Sequence, residues 1–138
     1  MPSRAIAILK GTVMTDLPHA AVVWAEIPVT DMDRAQVFYA EVTGYPLKLE
    51  TDGPNPMLAF GYQPDGGTSG HLYPGKPAAT GTGATVHLAV RGTVEEAMDR
   101  CTKAGGTVAS PVITIPPGRF AYAIDLDGNS IGLFQPAA

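Results

Sequence analysis

The chain has 138 residues, enough for one domain with a real hydrophobic core. Its 45 % hydrophobic and 16 % charged content describes a globular chain rather than a disordered one. A net charge of −4 gives no electrostatic case for nucleic acid or an anionic membrane surface, and the single cysteine, Cys101, excludes an internal disulfide and any cysteine-rich zinc site; a cytoplasmic location is the simplest expectation.

In chain order, residues 1–20 come first. The run "AIAIL" at 5–9 is too short for a membrane span or for the apolar region of a signal peptide. "RAIAILKG" reads as an added edge strand; alternatively Met14 is a second start and 1–13 an extension. One domain is expected over 21–138. "VVWAEIPV" at 22–29 is β-like, and "TDMDRAQVFYAEVTG" at 30–44 places Ala35, Phe38, Tyr39 and Val42 at helical spacing. Thr30 and Asp33 read as its capping pair and Gly44 as its stop. Three short β-like runs follow, "YPLKLE", "PMLAFGY" and "TSGHLYP", with "DGGTSG" at 65–70 read as a hairpin loop bordering a cavity. "PGKPAATGTG" at 74–83 has the composition of a linker.

The pattern then repeats. "ATVHLAV" at 84–90 is a strand, and "GTVEEAMDRCTKAGG" carries Val94, Ala97, Met98 and Cys101 at helical spacing, capped by Thr93 and Glu96 and stopped by Gly105. After it come "TVASPVITI", "RFAYAID" and "SIGLFQP", the last two joined by "DLDGNS", whose Asp-Gly is a hairpin signal. The chain therefore reads as two βαβββ units, about 22–75 and 84–135. No phosphate loop, nucleophile elbow or dinucleotide fingerprint is present.

"IPVTDMDRAQVFYAEVTGYPL" in the first unit, "LAVRGTVEEAMDRCTKAGGTV" in the second and the closing "IDLDGNSIGLFQP" resemble the vicinal oxygen chelate superfamily: glyoxalase I, bleomycin- and fosfomycin-resistance proteins, and extradiol dioxygenases. The resemblance implies an α+β fold, with two βαβββ modules forming a curved, open mixed sheet, helices outside and a small organic ligand on the concave side. It also implies a homodimer.

Strand alternation assigns faces. Val23, Ala25, Ile27 and Val29 form an apolar, helix-facing set, which turns Trp24, Glu26 and Pro28 to the concave side. Val86, Leu88 and Val90 do the same in the second unit and turn Thr85, His87 and Ala89 to that side. A one-residue slip would bury Glu26 under a helix, so the register is well determined. Glu26 and His87 stand at equivalent places, each three residues before the Val that closes its strand.

The resemblance places the superfamily's first-, fifth- and eighth-strand metal ligands on Trp24, Thr85 and Gly132, none of which binds a divalent cation well, and leaves only His71 for the fourth. Two arrangements remain open. A shifted site of Glu26, His71 and His87 would suit Zn, Ni or Fe as the divalent ion. In the second, which the loss of three positions favours, there is no metal or other cofactor. Glu26 is then a general base and His87 stabilises or reprotonates the intermediate, with Trp24, His71, Thr85, Arg119, Tyr122 and Phe134 contacting substrate. Plainer readings stand beside these: His87 as a hydrogen-bonded core histidine, Glu26 paired with an arginine, His71 at a strand end, Arg119 in solvent. The function expected is a proton-transferring isomerase or lyase of glyoxalase type acting on a carbonyl or hydroxylated compound. The alternatives are a non-catalytic binder of bleomycin-resistance type and, more weakly, a dioxygenase.

Overall fold

The computed structural model describes residues 22–61 and 68–138. The reading of 1–20 as an edge strand and half of the "DGGTSG" loop, 65–67, lie outside the described residues; its last two residues, Ser69 and Gly70, open a strand rather than a loop. The first half runs β1 (Trp24–Val29), α1 (Met32–Thr43), β2 (Lys48–Glu50), β3 (Met57–Ala59) and β4 (Ser69–Pro74). The second runs β5 (Val86–Ala89), α2 (Val94–Lys103), β6 (Thr107–Val108), β7 (Ile113–Ile115), β8 (Gly118–Ile124) and β9 (Ser130–Pro136).

The repeat is architectural. In the first sheet the order is β1-β4-β3-β2, with β1 and β4 parallel and the rest antiparallel. In the second it is β5-β9-β8-β6, with β5 and β9 parallel and β7 also paired to β8. The chain thus has the expected α+β architecture. The second half carries one strand more than the βαβββ reading, because "TVASPVITI" is two strands rather than one. Pro111 has no N–H for the ladder, and Ser110 fills part of the gap by accepting from the Tyr122 N–H through its hydroxyl at 2.9 Å.

The caps explain the helix starts. Thr93 and Glu96 form the predicted reciprocal box on α2. On α1 the expectation is corrected. The N-cap is Asp31, whose carboxylate accepts from the Arg34 N–H at 3.1 Å, while the Thr30 hydroxyl donates to Asp127 across the molecule. Gly44 closes α1 at φ 82, where a side chain would be strained.

Ala35, Phe38, Tyr39 and Val42 of α1 and Val94, Ala97 and Cys101 of α2 share one core with Ile27, Val29, Leu72, Leu88, Val90, Ile131 and Leu133 from both sheets. Burying each large side chain stabilises the fold by about 1.5–3 kcal/mol. Burial pushes the Cys101 thiol up to about 11, which leaves it an inert core group.

Polar ties then lock the halves. The buried Asp125 carboxylate accepts from the Tyr39 hydroxyl at 2.5 Å and from the Asp127 and Asn129 N–H groups at 2.8 Å each. Asn129 Nδ2 donates to Asp125 and to the Pro28 carbonyl. Arg100 of α2 donates to the Glu41 and Val42 carbonyls at the end of α1, satisfying orphan acceptors of the first half from the second.

Candidate functional site

The face assignment from alternation holds within β1 and β5, but Val23, expected in the helix-facing set, precedes β1 and is 69 % exposed. Ile27, Val29, Leu88 and Val90 are buried in the core, whereas Trp24, Glu26, Thr85 and His87 are exposed on the other side of their strands. Register makes the equivalence of the two units concrete. Glu26 lies beside His71 across the β1–β4 pair, and His87 lies beside Gly132 across the β5–β9 pair.

The two rows differ chemically. In the second sheet Gly132 leaves room for the imidazole. A Cβ at that position would stand 2.5 Å from Cε1 and 2.7 Å from Cγ of His87, and closer still to Nδ1. Three rings surround the imidazole: Phe120 at 5.0 Å, Tyr122 at 5.7 Å and Phe134 at 6.1 Å between centroids, the first and last edge-on. Phe120 and Phe134 stack nearly parallel, at 8°. Burial in this company lowers the His87 pKa below its ordinary value, since the cation loses hydration beside apolar rings. The shift favours the neutral form of the imidazole. Thr85 meets Ser130, hydroxyl to hydroxyl, at 2.6 Å on the same face.

A cavity of about 890 Å³ runs along β5. It takes Thr85 to Ala89 from that strand and faces Phe60, Tyr45, Pro46, Ala25 and Gly70 of the first half. Its size falls in the range of small-molecule sites. Among the predicted residues, His87 and Thr85 line it, and Tyr122 and Phe134 touch His87 from the sheet.

In the first sheet the Trp24 indole N–H donates to His71 Nδ1 at 2.8 Å, and Glu26 is exposed beside them. No hydrogen bond joins Glu26 to His87, and Glu26, Trp24 and His71 do not line the cavity. Arg119 is turned to the opposite face from Phe120 and Tyr122; its guanidinium pairs with Glu95 and donates to Gln135. That contact holds the Glu95 carboxyl below its usual range.

The superfamily's metal donors do not fit this chain. Thr85 is engaged with Ser130, Trp24 offers an indole, and the His87 ring covers Gly132. Among the described residues no three His, Cys, Asp or Glu side chains gather into a metal-binding group, so the shifted set Glu26, His71 and His87 is not assembled within them.

Phe120, Tyr45, Pro46 and Phe60 escaped the sequence reading. Phe120 was legible, since it alternates with Tyr122 on one strand. The other three reach the cavity from the end of α1 and from β3, and no local pattern announces that. Asp125, read as a turn residue only, is buried and bonds Tyr39.

Among the described residues no helix is long and apolar enough to cross a membrane. No curated protein matches the chain by sequence. Several solved structures do resemble it. A glyoxalase/bleomycin resistance protein from Albidiferax ferrireducens T118 is 20 % identical over 86 % of this chain and 100 % of its own, with a TM-score of 0.64. A member of the same superfamily from Sphaerobacter thermophilus DSM 20745 is 26 % identical over 84 % and 97 %, at 0.55. TnmS3, an antibiotic-binding protein from Streptomyces sp. CB03234, is 27 % identical over 88 % and 99 %, at 0.54. The family model for the Glyoxalase/Bleomycin resistance protein/Dioxygenase superfamily matches residues 17–133. With its doubled strand–helix–sheet plan, the chain belongs to that superfamily.

Proposed function

We propose that the protein binds a small, planar organic molecule in the β5 cavity and holds it without a metal and without chemical conversion. The observation that carries this reading is the cavity between β5 and the first half, lined by Tyr45, Pro46, Phe60 and His87, with Phe120, Tyr122 and Phe134 packed around the His87 ring over Gly132. Aromatic and apolar walls suit a flat ligand, and His87 with the hydroxyls of Thr68, Ser69 and Thr85 supplies a few polar anchors. The likeness to the antibiotic-binding TnmS3 supports a sequestering role. Titration calorimetry with uncharged planar compounds such as 2-naphthol and flavone tests it. Binding that weakens about tenfold or more in His87→Ala and Phe134→Ala supports the reading; equal affinity in both variants overturns it.

The second reading is a proton-transferring enzyme of glyoxalase type, with Glu26 as base and His87 as its partner. It is favoured by their equivalent strand positions and by their placement on the faces turned from the core. Glu26→Gln then removes turnover while leaving binding and folding intact. A homodimer is proposed as the working form. Among the described residues β1 and β5 each pair with one strand only, and a free strand edge invites a second chain; sedimentation gives the answer.

A further inference from the structure

We propose that the free edge of β5 reads a cyclic amide. The ligand of the cavity carries a ring N–H beside a ring C=O, as in a lactam or imide, and exchanges two hydrogen bonds with the His87 backbone. This rests on the cavity reading above and names the chemical class of its ligand. β5 lies at the end of its sheet and pairs with β9 alone. Ala89 is aligned with Phe134 in that parallel pair, and the Val90 N–H donates to the Phe134 carbonyl at 2.9 Å. Backbone groups of successive strand residues project to opposite edges, so Val86, Leu88 and Val90 turn theirs to β9. Those of Thr85, His87, Ala89 and Arg91 turn the other way. There the Arg91 N–H donates at 2.8 Å to the carbonyl of Thr43, the last residue of α1, so this edge faces the first half of the chain.

Beyond that bond the edge opens onto the cavity. Thr85, Val86, His87, Leu88 and Ala89 line it one after another. A cavity against one face of a strand would meet every second residue, since side chains alternate. Contact with the whole run, including Leu88, whose side chain belongs to the core, means that the cavity follows the edge itself. Among the described residues neither the N–H nor the C=O of His87 has a partner. In an extended strand these two groups of one residue project side by side, the arrangement by which opposed antiparallel residues exchange both bonds. A ring amide presents the matching acceptor beside the matching donor, and it is flat, so it takes both bonds while the apolar walls of Tyr45, Pro46 and Phe60 enclose its ring. A carboxylate offers acceptors only and would leave the His87 carbonyl unpaired.

The probes are 2-quinolone, a planar lactam, and 1-methyl-2-quinolone, in which the ring N–H is gone, with 2-naphthol as the planar compound that lacks an amide. In titration calorimetry 2-quinolone is expected to bind about tenfold more tightly than its N-methyl form. His87→Ala keeps the backbone, so it is expected to weaken both lactams and preserve the ratio between them. By NMR, the His87 amide proton is expected to move downfield as 2-quinolone is added. Equal affinity for the two lactams, a ratio lost in His87→Ala, or an unmoved His87 amide proton overturns the proposal. The cavity reading survives each of those results so long as 2-naphthol binds and weakens in His87→Ala. Failure of all three compounds to bind overturns both.

Discussion

Gly132→Ala tests how the His87 site is built. The new Cβ would stand 2.5 Å from Cε1 and 2.7 Å from Cγ, against ordinary contacts of about 3.4–4 Å, so the ring must retreat by roughly an ångström or swing outward. Backbone is not in the way: the atoms nearest that Cβ all belong to the His87 side chain, which is exposed and can move. Alanine is also favoured over glycine within a strand by about 0.5–1 kcal/mol. The fold should therefore lose less than about 1 kcal/mol, or gain slightly, while the imidazole leaves its three rings. Two readouts follow. In an NMR titration of the imidazole protons, the His87 pKa should rise toward its ordinary value, because the burial that lowered it is gone. Affinity for a planar ligand should fall with it, by at least about tenfold. A His87 titration curve unchanged from the parent protein would refute the reasoning, since the ring would then not depend on the space Gly132 leaves.

Tyr39→Phe removes one of the donors to the buried Asp125 and should cost about 1.5–3 kcal/mol in urea unfolding, with both halves lost in a single transition; a change under about 0.5 kcal/mol would mean the contact does not tie the halves together. The pH dependence of stability follows from His87. Its folded pKa is lowered, so the unfolded chain takes up the proton more readily, and stability falls as pH drops below about 6.5 and on through the folded value. In His87→Gln that part of the acid slope should vanish, as thermal melts between pH 7 and pH 5 would show.

Much of the fold was legible because both signals repeat. The helical stripes Ala35–Phe38–Tyr39–Val42 and Val94–Ala97–Cys101 are buried as their spacing requires. The orientation of Glu26 and His87 followed from alternation, since each has an apolar residue on both sides. The α1 cap was misplaced because Thr30 and Asp31 are both good N-caps, and a hairpin some hundred residues away, through Asp127, claims Thr30. For the same reason Asp125 passed as an ordinary turn residue. Its sequence neighbourhood is a turn, and only packing brings Tyr39 to it. Arg119 was placed near a ligand from its loop position, but Glu95, in the first turn of α2, holds it elsewhere. The site itself was half visible. His87 was named from the strand pattern, whereas the cavity it borders depends on how the end of α1 and β3 meet β5, a tertiary fact with no local signature.

A crystal structure with the tightest-binding planar aromatic ligand present tests the account most directly. The account places the ligand in the β5 cavity, in contact with the His87 imidazole and within reach of the Tyr122 and Phe134 rings. A ligand seated elsewhere, with those rings untouched and the cavity holding only water, would contradict it.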